Sequence, residues 1–183
     1  DPLILDTAVV GSGAAGYSAA LRLCEAGVPS VAVLTEGVTT GTSRNTGSDK
    51  QTYYKLSLSG GTPDSPFDMA RDLFAGGCVD GDNALCEAAL STRCFMRLCE
   101  LGVPFPTDEY GQYVGYKTDH DPAARATSAG PLTSRLMTEA LEREVTRRGI
   151  PVRGGLTVVR ILKGGDGHVC GLIALDTSDA EPT

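Results

Sequence analysis

The chain opens with short apolar runs separated by small and polar residues. Thr7-Ala8-Val9-Val10 is β-branched and apolar, which predicts a fully buried parallel strand. Ala14 to Glu25 is rich in helix formers, with Leu21 and Cys24 on one face and Gly27 placed to end the helix. Val31-Ala32-Val33-Leu34 is a second buried-strand pattern, ending at Thr35-Glu36. From Gly37 to about Gly61 the pattern is lost in polar, Gly-, Thr- and Ser-rich sequence. Ser65-Pro66-Phe67-Asp68 reads as a capping box with proline at the first helical position, starting a helix to about Ala75. Asp82 is placed to cap a further helix, Asn83 to Glu100, closed by Gly102.

The turn-rich "VPFPTDEYGQYVGYKTDHDPAA", with its alternating aromatics, suggests a short hairpin. Pro131 to Arg148 predicts a helix with i,i+4 pairs Glu139–Arg143 and Glu144–Arg148, stopped by Gly149. Strands return late: a short one at Ile150 to Val152, then Leu156 to Leu162 and His168 to Leu175 around the turn "KGGDG". The organisation is therefore a first βαβ unit (1–36), a largely helical insertion (37–149), and returning strands with a hairpin (150–176).

Between the first strand and first helix stand Gly11, Gly13 and Gly16, in the G-x-G-x-x-G spacing. Gly11 would allow a tight turn, Gly13 the approach of a pyrophosphate to the backbone, and Gly16 close packing of helix on strand. The free amides of Ser12, Gly13, Ala14 and Ala15 and the helix dipole then favour an anion. A ribose-binding group belongs about 20 residues further on, where Thr35 and Glu36 lie. More than a hundred residues then separate the second strand from the next convincing one. That disfavours an ordinary NAD(P)-binding dehydrogenase and suits the flavin-binding variant of the fold.

Composition narrows the picture further. A length of 183 residues supports a real core. The formal charge of −7 is spread with both signs interspersed, and no basic cluster offers a nucleic-acid surface. The N-terminal "DPLILD" is unlike a signal peptide, and no apolar run reaches transmembrane length. Cys24, Cys78, Cys86, Cys94, Cys99 and Cys170 show no C-x-x-C pair and no zinc spacing. They read as free buried thiols in a reducing cytoplasm, with no metal site implied.

Several segments in order resemble the flavoprotein subunits of the fumarate reductase, succinate dehydrogenase and aspartate oxidase family. They are "VVGSGAAGYSAALRLCEAG", "ELGVPF", "RATSAGPLTSRLMTEALEREVTRRGIPV" and "DGHVCGLIALD". The resemblance implies an α/β fold: an FAD-type Rossmann-like (FAD/NAD(P)-binding) parallel sheet with helical insertions and a late antiparallel hairpin, incomplete here. It implies FAD as cofactor, with hydride transfer between the flavin and a small, dicarboxylate-like substrate. In the respiratory members a Ser-His-Thr sequence carries the histidine that binds FAD covalently. Aligned on Thr46, this chain has Asn45 at that position, which implies non-covalent FAD. Thr42, Ser43, Arg44, Asn45, Thr46 and Gly47 would then lie along the flavin and pyrophosphate. The alternative is a polar surface loop. Glu36 either binds ribose hydroxyls or points to water.

Arg125 matches a family arginine that could face flavin or substrate, against the plainer reading of a solvated side chain. His120 and His168 read as exposed turn residues, and Asp49–Lys50 as an exposed ion pair. Relatives run far longer, so the resemblance implies an N-terminal fragment. Its catalytic residues would lie elsewhere and its FAD affinity would be weak or nil. An open sheet edge could pair with a second copy. The parent would be cytoplasmic or peripheral to a membrane. The competing functions are a nicotinamide dehydrogenase domain and a non-catalytic dinucleotide-binding module.

Overall fold

The computed structural model describes residues 3–49, 51–58, 63–118 and 121–178. The elements in order are β1 (Thr7–Val10), α1 (Ala14–Glu25), β2 (Val31–Leu34), α2 (Thr42–Asn45), β3 (Tyr53–Tyr54), α3 (Pro66–Ala75), α4 (Gly81–Glu100), β4 (Ala126–Thr127), α5 (Thr133–Arg147), β5 (Val152–Arg153), β6 (Leu156–Lys163) and β7 (Val169–Asp176). They form two compact units, Asp1–Thr46 with Met137–Thr183, and Gly47–Leu136.

The first unit holds the expected α/β fold, a parallel sheet and an antiparallel hairpin. Its sheet runs β1-β2-β5, with Thr7 opposite Val31, Val10 opposite Leu34 and Val33 opposite Val152. β2 is central, and all four of its residues are buried. β1 was expected to be buried as well, but Val10 is 57% exposed. Among the described residues β1 pairs only with β2, so it is an edge strand. α1 covers the sheet with Tyr17, Ala20 and Leu21, an i, i+3, i+4 set, while Cys24 is only half-buried. Each large aliphatic side chain sequestered this way contributes about 1.5–3 kcal/mol. From α5, Ala140, Leu141 and Val145 are also buried. At its end Glu144 joins Arg148 as expected, and Arg147 as well. β6 and β7 pair antiparallel, with register irregularities at Val158/Arg160 and Leu162/Lys163. Leu156 N donates to the carbonyl of Thr35, tying the base of the hairpin to the end of β2.

In the second unit α3 packs on α4. Ser65 caps α3, its Oγ accepting from Asp68 N at 3.1 Å, as the capping box predicts. α4 starts two residues earlier than expected. Asp80, not Asp82, is its N-cap, accepting from the amides of Asp82 and Asn83. Either aspartate of "DGDN" can cap, and the earlier one satisfies two donors. The buried stripe of α4 is Ala84, Ala88, Ser91, Phe95 and Leu98. Cys86 and Cys94 fall on its other face and are exposed, as are Cys78 and Cys170, so the expectation of buried thiols does not hold for these four. α5 starts at Thr133 rather than Pro131, because Gly130 (φ 99°) turns the chain and Thr133 Oγ1 donates to its carbonyl at 2.7 Å.

The two-residue strands β3 and β4 pair antiparallel and were not foreseen. Too short to show a period, they are held by what surrounds them. Tyr53, Phe95, Phe105 and Tyr113 form an aromatic cluster, with Phe95 and Phe105 centroids 4.7 Å apart. The expected hairpin is reduced to one bridge, Thr107 to Tyr113, closed by the Asp108 carboxylate, which accepts from Tyr110 N and Gln112 N.

Arg125 faces neither open solvent nor a cleft. It is 1% exposed, its Nε and Nη2 donating to both oxygens of Asp64 at 2.9 and 2.6 Å and its Nη1 to Asp72 at 2.7 Å. Asp121 and the Tyr54 hydroxyl complete the surroundings. Asp121 also accepts from the amides of Ala123 and Arg125, clamping Ala124 at φ 52°, a left-handed conformation that costs a non-glycine residue energy.

Candidate cofactor site

The glycine turn is built as its spacing requires. Gly11 N donates to Leu34 O at 2.8 Å, and Gly11 takes φ 103°, open only to glycine at low cost. A Cβ on Gly16 would stand 1.9 Å from the carbonyl oxygen of Gly11, so the third glycine is what lets α1 close on the turn. Gly13 is the N-cap of α1 and offers no side-chain cap. Ser43 Oγ alone reaches that end among the described contacts, accepting from Ala14 N at a long 3.4 Å.

Beside the turn lies a cleft of about 500 Å³. Its walls are Val10 to Gly13, the end of β2 and its exit from Leu34 to Glu36, the loop Thr40 to Thr42, and Leu156 and Val158 from β6. Backbone amides and a helix N-terminus thus meet apolar hairpin residues, a combination suited to an anionic group joined to a flat heterocycle. The glycines leave room for that group, so the residues present fit a dinucleotide diphosphate.

Sequence-predicted residues distribute unevenly around this cleft. Gly11, Ser12, Gly13, Thr35, Glu36 and Thr42 line it. Ser12 and Thr35 turn their hydroxyls to each other, 3.0 Å apart, and toward the carbonyl of Gly37. Glu36 is exposed, and its carboxylate accepts from Thr157 Oγ1 at 3.2 Å. Ala14 belongs to the first turn of α1. Ala15, exposed, and Gly16 lie further along the helix and do not line the cleft.

In α2, Asn45 donates from Nδ2 to the carbonyls of Thr39 and Gly41, and Thr46 from Oγ1 to that of Thr42. These two side chains shape the loop rather than project from it. Arg44 pairs with Glu142 of α5 and lies 3.7 Å from Glu139, so it too is outside the cleft lining. Gly47 belongs to the second unit, and a Cβ there would press on Leu132 at 3.0 Å. His168 is exposed beside the hairpin turn. His120 and Lys50 lie outside the described residues, and Arg125 is committed to its own carboxylates.

Sequence reasoning missed Val10, Leu34, Thr40, Gly41, Leu156 and Val158 as wall residues. The signal was present in part: Leu156 and Val158 alternate on a strand that follows β5 almost without a break, and so must start near the end of β2. Among the described residues no cluster of His, Cys, Asp or Glu is arranged to hold a metal ion, and no helix is long and apolar enough to cross a membrane.

A parallel βαβ start, an amide-lined glycine turn and a late hairpin flanking one cleft define a dinucleotide-binding domain of the flavin type. The chain belongs to the FAD binding domain family, whose model matches residues 6–183. Its cofactor is FAD. No curated protein sequence matches the chain.

Solved structures share the fold. The quinol fumarate reductase flavoprotein of E. coli superposes with a TM-score of 0.81 at 21% identity, over 94% of this chain and 29% of its own. Mycobacterium smegmatis Sdh1 gives 0.78 at 20%, over 93% and 30%. A 3-ketosteroid-Δ4-(5α)-dehydrogenase from Rhodococcus jostii RHA1 gives 0.74 at 20%, over 93% and 41%. The chain therefore spans well under half the length of each of these proteins.

Proposed function

We propose that this chain forms the nucleotide-gripping part of an FAD-dependent oxidoreductase of the fumarate reductase and succinate dehydrogenase type. The carrying observation is the turn itself: a Gly16 Cβ would overlap the Gly11 carbonyl, and Gly13 brings no capping side chain to the helix end. The amides from Ser12 to Ala14 would hold the FAD diphosphate, and Ser43 would add a hydroxyl beside them. Glu36 would receive ribose hydroxyls, and Leu156 and Val158 would supply an apolar wall for the adenine. When bound, FAD supplies the hydride chemistry, exchanged with a small carboxylated substrate. The chain's own residues bind and orient the nucleotide end.

The side chain at position 45 supports non-covalent attachment. Asn45 lacks a nucleophile for the flavin methyl, and its amide is spent on the loop carbonyls of Thr39 and Gly41. The open edge of β1 is the surface through which self-association is expected.

The test begins with protein purified from its source. Acid precipitation should release FAD intact into the supernatant, and fumarate should reoxidise the reduced flavin. A flavin that stays with the precipitate would overturn the non-covalent reading. Reoxidation by a 3-ketosteroid but not by fumarate would move the substrate to the class processed by the Rhodococcus enzyme. A purified protein holding NAD and no flavin would remove the whole reading.

A further inference from the structure

Arg44 neighbours Ser43, the residue whose hydroxyl reaches the first amide of α1, yet its own guanidinium turns the other way. Nη2 pairs with Glu142 Oε2, and Nη1 lies 3.7 Å from Glu139 Oε1, both from α5. The Arg44 side chain is 13% exposed. Its Nε is buried without a hydrogen-bond partner among the described residues, and so is the hydroxyl of Tyr17 on α1. Burial, and then the charge of Glu142, raise the pKa of that phenol, with Arg44 and Ser12 opposing. The buried Tyr17 and the half-buried Arg44 and Glu142 thus form one polar group linking α1, α2 and α5, with Ser12 of the glycine turn beside it.

We infer that Arg44 is a positioning residue for the cofactor turn, an inference that rests on the FAD reading above. Drawn to α5 by two carboxylates, Arg44 holds α2 against the turn. Ser43 Oγ then stands 3.4 Å from Ala14 N and 3.1 Å from where a Cβ of Gly13 would be. α2 is a helix of four residues, far too short to persist by its own hydrogen bonds. Asn45 spends its side-chain amide on the loop carbonyls of Thr39 and Gly41, so it shapes the loop without tying it to α5. The Arg44 pair is the anchor.

The contact that Arg44 enforces is a weak one that a ligand can replace. A long neutral N–H···O bond to Ser43 yields to a charge-assisted bond from the same amide to a phosphate oxygen. The displaced hydroxyl can then donate to that oxygen. Ser43 accordingly keeps the amide oriented before the nucleotide arrives and joins the anion shell afterwards, while Arg44 never touches the ligand.

The test compares Arg44→Ala, Arg44→Lys, Ser43→Ala and the double variant. Amide hydrogen exchange on the chain without ligand comes first. Arg44→Ala should speed exchange at Ala14 and across residues 41–46 and leave the amides of α3 and α4 unchanged. FAD affinity, read from flavin fluorescence, should fall about tenfold in Arg44→Ala. Arg44→Lys, which keeps the charge but not the fork, should recover part of that loss. Ser43→Ala added to Arg44→Ala should cost little more, because one residue acts through the other.

Unchanged exchange at Ala14, or strictly additive losses of affinity, would overturn the inference. Should Arg44→Ala fail to fold, Glu142→Gln carries the same expectation. A wild-type chain that binds no FAD refutes the FAD reading instead, and the exchange result still decides the role of Arg44.

Discussion

Gly16 and Gly11 approach so closely that a methyl group on the first would sit 1.9 Å from the carbonyl oxygen of the second. That oxygen is backbone and cannot swing aside. Gly16→Ala must open the turn or tilt α1, at about 1–3 kcal/mol for overpacking. The urea midpoint should fall, and FAD binding should fall further than stability alone explains, because the turn is the binding surface. A Gly16→Ala variant with wild-type midpoint and affinity would refute the close-packing account.

Arg125 neutralises a set of carboxylates that it cannot leave. The side chains of Asp64 and Asp121 are 3% and 1% exposed, and Asp72 completes the set at 25%. Arg125→Ala takes the countercharge from the buried Asp64 and Asp121, which for a buried pair costs about 3–5 kcal/mol. Arg125→Lys should rescue little, since one ammonium cannot span Asp64 and Asp72 as the guanidinium does. Thermal unfolding of the two variants measures both effects. Near wild-type melting of Arg125→Ala would show the network to be dispensable.

Glu144 gives acid sensitivity a definite window. Hydrogen bonds from Arg147 and then Arg148 bring its pKa from 4.5 to about 2, burial opposing. The native state therefore binds fewer protons than the unfolded chain between those two values. The contribution of Glu144 to stability is complete above pH 4.5 and is lost as pH falls toward 2. Across that window the urea midpoint of Glu144→Gln should decline less steeply than that of the wild type. Parallel curves would deny Glu144 its share of the acid sensitivity.

Lys55 is fully buried, its Nζ 4.8 Å from the centre of the Phe95 ring and 3.4 Å from the carbonyl of Leu56. Burial lowers its pKa, against the opposing pull of Cys99 and Asp64. A cation–π contact returns about 0.5–2 kcal/mol, less than the several kcal/mol needed to desolvate an ammonium. Lys55→Met, similar in shape and uncharged, should raise the urea midpoint at neutral pH. For the wild type, stability should be complete above the pKa of an unfolded lysine and fall as pH drops through the lowered native value. The Met variant should lack that slope. A lower midpoint in Lys55→Met would show that the contact with Phe95 outweighs desolvation.

The parts legible from sequence were those governed by neighbours along the chain. β1, α1 and β2 match their predicted bounds, because an apolar run, a glycine turn and a capping glycine are local signals. The cap of α3 follows from Ser65 for the same reason. Arg125 shows the limit. Its partners, Asp64 and Asp72, lie 61 and 53 positions away, and no local pattern announces that they converge. Arg44 is the same case within the candidate site. Its place in a polar loop suggested an approach to the cofactor, whereas its partner Glu142 lies 98 positions on and draws it away. The exposed thiols of Cys86 and Cys94 mark a third kind of miss. Cysteine among alanine and leucine looks interior until the helix is rotated onto its neighbour.

Among the described residues the β6–β7 ribbon closes its ladder on itself, and only its base is stitched to the central strand. Val159, Ile161, Val169, Ile173 and Leu175 ride on it in the open, between 42% and 67% exposed. A two-stranded ribbon is marginal in water when nothing lies over it. Its far end, around Gly164 to Gly167, is therefore where a protease should find the chain first, nicking it while the three parallel strands stay protected. The piece released would take β7 with it and leave β6, whose Leu156 and Val158 wall the nucleotide cleft, without a partner strand.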